Sequence, residues 1–337
     1  MTLSIIIPVY NVEDYLSDCL ESVLRCDLAD CEIILVLRDG QDRSGEICAF
    51  YKAHHDCIRV EKQYGQGLSN ARNTAMRSVR GDYVLFIDSD DYVDSSLLDG
   101  LIDGLRCGDL NADVIVTDYY FVEHPAKKLV PIFQIGEETL PQHSMEFLPV
   151  MLRKRKCFWN VWRYIYRRSF LLENNISFLE NKLCEDVDYT TQVLLADPDV
   201  LFIHSPFYFY NVGRGGSLMD HRELRHLRDT IEVLSDSIEK AHSKKNKYAD
   251  LISARYQFEY ILNIALIVEI DPSNRDAALA LYDNYEQVLD PSSDWLVNLF
   301  RLVIQVFGIK NCAWLLHHIK QIYRVILGRK SFRREKK

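Results

Sequence analysis

Tyr83-Val84-Leu85-Phe86-Ile87-Asp88-Ser89-Asp90-Asp91 joins two signals: a short uncharged apolar run, then three carboxylates at its end. The run is rich in aromatic and branched side chains, as a strand covered on both faces should be. Asp88, Asp90 and Asp91 would repel one another so close together unless a cation or a set of hydrogen-bond donors compensates. Mg²⁺ or Mn²⁺ meets that need with one or two carboxylates and the phosphates of a ligand. Strand ends are also where open α/β sheets take their ligands. An acidic turn capping a helix at Leu97 is the plainer alternative.

Working outward, Ile5–Val9, Ile33–Leu37 and Ile58–Glu61 read as further strands, with helical patterns over Glu13–Leu24, Ser44–His54 and Ser69–Val79 between them. Strand-helix alternation predicts an α/β fold whose sheet is mostly parallel and flanked by helices. A helix at Leu97–Arg106 leads to a strand at Val114–Thr117. From about Phe121 to Leu152 no element is convincing. Aromatic and basic residues concentrate over Phe158–Phe170, Glu185–Ala196 is helical, and Val200–His204 and Phe207–Tyr210 are strands. From Glu223 onward the pattern is helical, punctuated by Asp271-Pro272 and Asp290-Pro291. The expected division is an α/β domain over residues 1–217 and a helical region over 218–337.

The 337 residues are 48% hydrophobic and 26% charged, a globular composition, and the net charge of -9 gives no reason to coat nucleic acid. From Lys320 to the end, however, eight Lys and Arg face one acid, Glu335, which suggests a local anionic partner. Nine cysteines without a Cys-x-x-Cys pair indicate neither a disulfide framework nor a zinc site, and imply a reducing, cytosolic setting. No signal peptide is expected ahead of Leu3-Ser4-Ile5. With no run of about 18 apolar residues, no spanning helix is expected either.

Four motifs stand in register: Ser4-Ile5-Ile6-Ile7-Pro8-Val9-Tyr10-Asn11, Gly67-Leu68-Ser69-x-Ala71-Arg72-Asn73, the acidic strand end, and Glu185-Asp186. Together they resemble glycosyltransferase family 2, inverting enzymes with the Rossmann-like GT-A fold, over about residues 3–217. The resemblance implies a nucleotide-sugar donor, UDP-linked, and Mn²⁺ or Mg²⁺. Pro8, Tyr10 and Asn11 would border the base and ribose. Glu13 follows them, where a helix start favours an acid anyway. Arg72 would lie near the nucleotide, while Ser69 is read as a helix N-cap. Asp88 would meet the ribose and share the metal with Asp90; Asp91 could support either. Of Glu185 and Asp186, the resemblance makes Asp186 the general base; both could also simply cap their helix. A base and a metal on opposite sides of the sugar imply one displacement with inversion. Arg214, among Gly213, Gly215 and Gly216, could reach the diphosphate when its loop closes. Trp159 or Trp162 could stack on a sugar or belong to the core.

One segment departs from the family pattern. Leu37-Arg38-Asp39-Gly40-Gln41-Asp42 stands where a carboxylate that reads the base is usual; without a gap Arg38 takes that slot, and with a shift of one Asp39 does. Asp39 is favoured. The implied acceptor is a glycan or a lipid-linked glycan, which would bring the chain to the inner face of the cell membrane. Trp314-Leu315-Leu316, Ile319, Ile322-Tyr323 and Val325–Leu327 form an apolar stripe, with His317, His318, Lys320, Gln321 and Arg324 turned away. Such a basic amphipathic end suits an anionic membrane surface or packing on its own protein. A different class, a non-catalytic scaffold recruiting partner transferases, is motivated by Arg38. A nicotinamide dehydrogenase lacks its Gly-x-Gly-x-x-Gly turn, since Pro8-Val9-Tyr10-Asn11 stands there.

Overall fold

The computed structural model describes residues 1–123, 128–131, 149, 152, 159–212, 223–244 and 247–334. The chain divides into two compact units, Met1–Gly216 and Ser217–Lys337. In the first, β1 (Leu3–Val9), β2 (Cys31–Leu37), β3 (Ile58–Lys62) and β4 (Tyr83–Phe86) alternate with α1 (Leu16–Leu24), α2 (Ser44–His54) and α3 (Leu68–Met76). Then come β5 (Tyr92–Val93), α4 (Ser95–Cys107), β6 (Val114–Glu123), β7 (Lys128–Pro131), β8 (Tyr164–Arg167), α5 (Arg168–Glu173), α6 (Glu185–Leu195) and β9 (Val200–Val212). The strands form one sheet in the order β3-β2-β1-β4-β8-β6-β9-β5, with β7 beside β6.

The β3-β2-β1-β4 half is parallel, as the strand-helix alternation requires. Past β4 the sheet becomes mixed, because β8 enters antiparallel between β4 and β6. β8 comes from the aromatic-basic segment, whose four-residue strand is too short to show an alternation. Val200–His204 and Phe207–Tyr210 belong to one strand, β9, whose pairing with β6 shifts register between Thr117 and Tyr119. A bulge of that kind absorbs the Ser205-Pro206 step that reads as a break in sequence.

Two helix starts differ from expectation. α1 begins at Leu16 rather than Glu13, because Asn11 adopts φ 50 and the N–H groups of Val12 and Glu13 donate to Ser44 Oγ and Asp42 Oδ2. α3 begins at Leu68 with Gly67, φ 85, at the N-cap position, and Ser69 is buried in the first turn rather than being the cap. At α4, by contrast, Asp94 caps the helix by accepting from Leu97 N, so the acidic cluster is not needed for that task.

β1 is buried along its whole length. Its one polar residue, Ser4, donates to Glu32 Oε1 at 2.6 Å and accepts from Gly81 N at 2.8 Å. Glu32 also accepts from Arg59 Nε and Arg80 N, so a buried acid is fully partnered where β1, β2 and the β4 entrance meet. Gly81 sits so close that a Cβ there would lie 2.5 Å from Ser4 N.

The second unit holds α7 (Leu224–Ser243), α8 (Ala249–Ile264), α9 (Arg275–Asn284) and α10 (Trp295–Arg334). Two of its segments, Ala249–Val268 and Trp295–Ile322, are by length and composition apolar enough to cross a membrane, although neither is an uninterrupted apolar run. The first is mostly buried, as a core helix is; the second is only 22% buried. α10 breaks at Gly308, with φ 73 and ψ 158. The predicted stripe is divided there. Cys312, Ala313 and Leu316 are buried and His317 and Lys320 turn to Glu269, whereas Trp314, Leu315 and Ile319 are exposed.

Gly81→Ala should lower stability by about 1–3 kcal/mol, since its methyl meets backbone rather than a movable side chain. A shift of the urea midpoint at unchanged slope is the expected result.

Candidate active site

The acidic turn hangs directly from β4. Ile87 N still donates to Ile6 O, and the chain then turns through the bond from Asp91 N to Asp88 O. β9 holds this turn from the far side. Tyr208 OH donates to Asp91 Oδ2 at 2.6 Å and accepts from Asp88 N at 3.1 Å. Asn211 donates its N–H to Asp91 Oδ1 and its amide to Asp90 O. Asp91, 2% exposed, is thus committed to the scaffold, which resolves the one member of the cluster without a role. Burial and the neighbouring Asp90 and Asp88 push its carboxyl up, against those two donors. Asp88 and Asp90 remain partly exposed.

Arg72 joins this turn to the second acidic pair. It projects inward from α3, 1% exposed, with Phe86 and Phe178 rings 5.9 and 5.2 Å from its guanidinium. One terminal nitrogen donates to Asp88 Oδ1 at 2.8 Å. The other donates to Glu185 Oε1 at 2.8 Å and lies 3.5 Å from Asp186 Oδ1. These residues are up to 114 positions apart in sequence. Arg72 therefore braces carboxylates from beneath rather than standing at the open surface.

Glu185 and Asp186 begin α6 after Cys184, which takes the left-handed conformation at φ 60, ψ 35. Cys184 makes no side-chain cap, and both acids reach Arg72, Asp186 also accepting from its own backbone N–H. Their negative charge still suits the helix start. Asp186 is the more open of the two, with 21% of its side chain exposed against 9% for Glu185. Burial and the adjacent Glu185 carboxylate push the Asp186 carboxyl well up, with Arg72 opposing.

The first strand-to-helix turn lines an open cleft of about 320 Å³, bounded by Asn11 to Tyr15 and by Gln41 and Asp42. Pro8 is buried in β1; Tyr10 is exposed, with the Arg38 guanidinium 4.1 Å from its ring centre. Asn11 Oδ1 accepts from Gln41 N, and Glu13 accepts from Arg43 N and Nε. Asp42 accepts from Ser44 and from Glu13 N, which holds its carboxyl below the usual range although burial opposes. Asp39 instead lies 77% exposed and paired with Lys62 at 2.8 Å. Of these two aspartates, Asp42 lines the cleft, beside Glu13 and Asp14, and Asp39 does not.

The structure thus gathers Arg72, Asp88, Glu185 and Asp186, and puts Asn11 and Glu13 on the cleft, with Tyr10 exposed next to them in the chain. Arg214, with its glycines, lies outside the described residues. Trp162 is 2% exposed and stacks on Tyr208 at 4.3 Å, so it belongs to the core, while Trp159 is partly exposed. Sequence reasoning missed the tyrosine and asparagine of β9 that hold Asp91. Tyr208 and Asn211 three residues apart carry no chemical signal until β9 is placed beside the turn. Among the described residues, no group of three or more His, Cys, Asp or Glu side chains could hold a metal unaided. A site of one or two carboxylates completed by a ligand's phosphates is consistent with that.

The chain is similar to known proteins in sequence and in fold. The family model described as glycosyl transferase family 2 matches residues 4–174, just over half of the 337. The glycosyltransferase EpsJ of Bacillus subtilis is 34% identical over 62% of this chain and 60% of its own length. The match to the glycosyltransferase GlyA of Streptococcus pneumoniae, 28% identical over 70% of this chain, spans only 34% of that protein. A poly(ribitol-phosphate) beta-N-acetylglucosaminyltransferase, TarS of Staphylococcus aureus, is 26% identical over 80% of this chain and 47% of its own. The crystal structure of S. aureus TarS 1-349 in complex with UDP-GlcNAc superposes with a TM-score of 0.71 at 18% identity, covering 95% of this chain and 92% of that one. A mannosyltransferase from Pyrobaculum calidifontis in complex with GDP-Man and Mn²⁺ superposes at 0.55 with 14% identity, covering 96% and 87%. With its mixed sheet, its acidic strand end and a family model over residues 4–174, the chain belongs to glycosyltransferase family 2 and has the GT-A fold.

Proposed function

We propose that this chain moves a sugar, with inversion, from a UDP-linked donor to a hydroxyl of a glycan or lipid-linked acceptor in polysaccharide synthesis. The observation that carries this reading is the Arg72 cluster, which ties the acidic turn and the Glu185-Asp186 pair into one partly open site. TarS, whose fold is similar, has been crystallised with UDP-GlcNAc and with UDP. Catalysis would belong to residues 1–217 and acceptor-side functions to 218–337. Lipid-linked acceptors would bring the protein to the inner face of the cell membrane.

Asp186 is assigned as the general base. Its raised pKa suits the task, because a carboxylate closer in pKa to the working pH takes a hydroxyl proton more readily. Glu185, bonded to Arg72, holds Asp186 in place and keeps its basicity up. The cleft beside Tyr10, Asn11 and Glu13 would take the nucleoside, and Asp88 the ribose. Asp90, with Asp88, would hold Mn²⁺ or Mg²⁺. Once bound, that cation neutralises the leaving diphosphate, so no protein acid is needed there. Arg214 is proposed to approach the diphosphate.

Asp186→Asn should cut the transfer rate about 10²–10⁴-fold while leaving donor affinity by calorimetry unchanged. Near-normal transfer in that variant would remove Asp186 as the base. In the parent protein the rate should fall as pH drops through the raised pKa of Asp186, because only the carboxylate accepts a proton. The residual rate of the Asn variant should lack that limb. UDP-sugars with Mn²⁺ should raise the melting temperature by mass action, and Asp90→Ala should abolish the Mn²⁺-dependent part. A full Mn²⁺ response in the variant would sink the metal assignment, and no response to any donor in the parent would favour a non-catalytic scaffold.

A further inference from the structure

α10 shows solvent the wrong face for a helix that serves a water-soluble core. Trp295, Leu299, Leu302 and Val306 recur at helical spacing and are 73%, 46%, 53% and 72% exposed. Beyond Gly308, Leu315 and Ile319 are exposed by 49% and 48%. On the opposite side, Leu316 is buried, and His317 and Lys320 lie 3.4 and 3.6 Å from Glu269. An apolar stripe is thus left exposed along one side of the helix, beside exposed Gln305, Lys310 and His318.

Length and charge identify what covers that stripe. The arm before the break, Trp295–Phe307, is about 20 Å long at 1.5 Å per residue, short of the roughly 30 Å of a bilayer core. The arm after it carries Lys310 and the Lys320–Glu269 pair, which a spanning helix would have to bury in hydrocarbon. A helix of this kind lies in an interface rather than through it. On a chain of net charge -9, the same helix runs into a segment with eight Lys and Arg from Lys320 onward against one acid. A second copy packed on this face with its helix parallel would bring two such basic segments together. An anionic lipid surface satisfies the apolar stripe and the cations at once.

We propose that α10 lies in the plane of an anionic phospholipid bilayer, its apolar stripe at the headgroup–acyl boundary and its basic end on lipid phosphates. This deepens the membrane setting proposed above and rests on it, but not on the transfer chemistry. The test is flotation of the full chain with vesicles of phosphatidylcholine or of an equal mixture with phosphatidylglycerol. Binding to the mixed vesicles should exceed binding to phosphatidylcholine by on the order of tenfold, and weaken as salt rises. L302D/V306D should lose most of that binding with its melting temperature unchanged, since both positions are exposed. R333E/R334E should lose the preference for phosphatidylglycerol. Absence of binding to the mixed vesicles, or equal binding by L302D/V306D, overturns the proposal. So does light scattering that finds a dimer which L302D/V306D dissociates, because a second copy then covers the stripe. Donor-induced thermal shifts on the same preparations report on the transfer reading separately.

Discussion

A single buried guanidinium holds the candidate site together. Arg72 is 1% exposed, and a charge withdrawn so far from water is tolerated only if it is paired and hydrogen-bonded. Its partners arrive from three places: the turn after β4, the first turn of α6, and aromatic rings of β4 and the segment before α6. Because the cation cannot be deprotonated, every fold of this chain that buries α3 must deliver carboxylates to it. That requirement sets where α6 begins and which way its first residues point. One cation against Asp88, Glu185 and Asp186 leaves an excess of negative charge, part of which is relieved by the raised pKa of Asp186. The remainder makes the partly exposed side of the cluster attractive to a further cation.

Around this centre, the polar residues of the sheet divide into braces and working groups. Asp91 is a brace: Tyr208 and Asn211 lock it to β9, and Trp162 stacks behind Tyr208. Glu32 is another, joining Ser4, Arg59 and Arg80. Glu13 and Asp42 tie the first turn to the second, so the cleft between them has fixed walls. Asp88, Asp90, Asp186 and Tyr10 keep exposed surface. Rigid walls and a few open groups are what a site needs if orientation is to contribute to rate.

Much of this was legible because parallel strands buried on both faces are short apolar runs, and helices between them repeat at a different period. β1, β2, β4 and α2 follow from that contrast alone. β8 does not, since Tyr164-Ile165-Tyr166-Arg167 is too short to show a period and finds its place only between β4 and β6. The facing of α10 was misread for a related reason: an apolar stripe identifies a helix face but not what that face meets. The Glu269 carboxylate, distant in sequence, drew His317 and Lys320 inward.

The amino-acid sequence by itself determined the α/β class, the acidic strand end and the family, since each rests on residues within one strand, one turn or one motif in fixed order. Only the tertiary structure decided what those residues do to one another. It put Arg72 beneath the carboxylates, withdrew Asp91 to β9, turned Asp39 to Lys62, and left the apolar side of α10 uncovered. Pairings across up to 120 residues depend on which strands lie side by side, and that is a property of the packed sheet rather than of any local run.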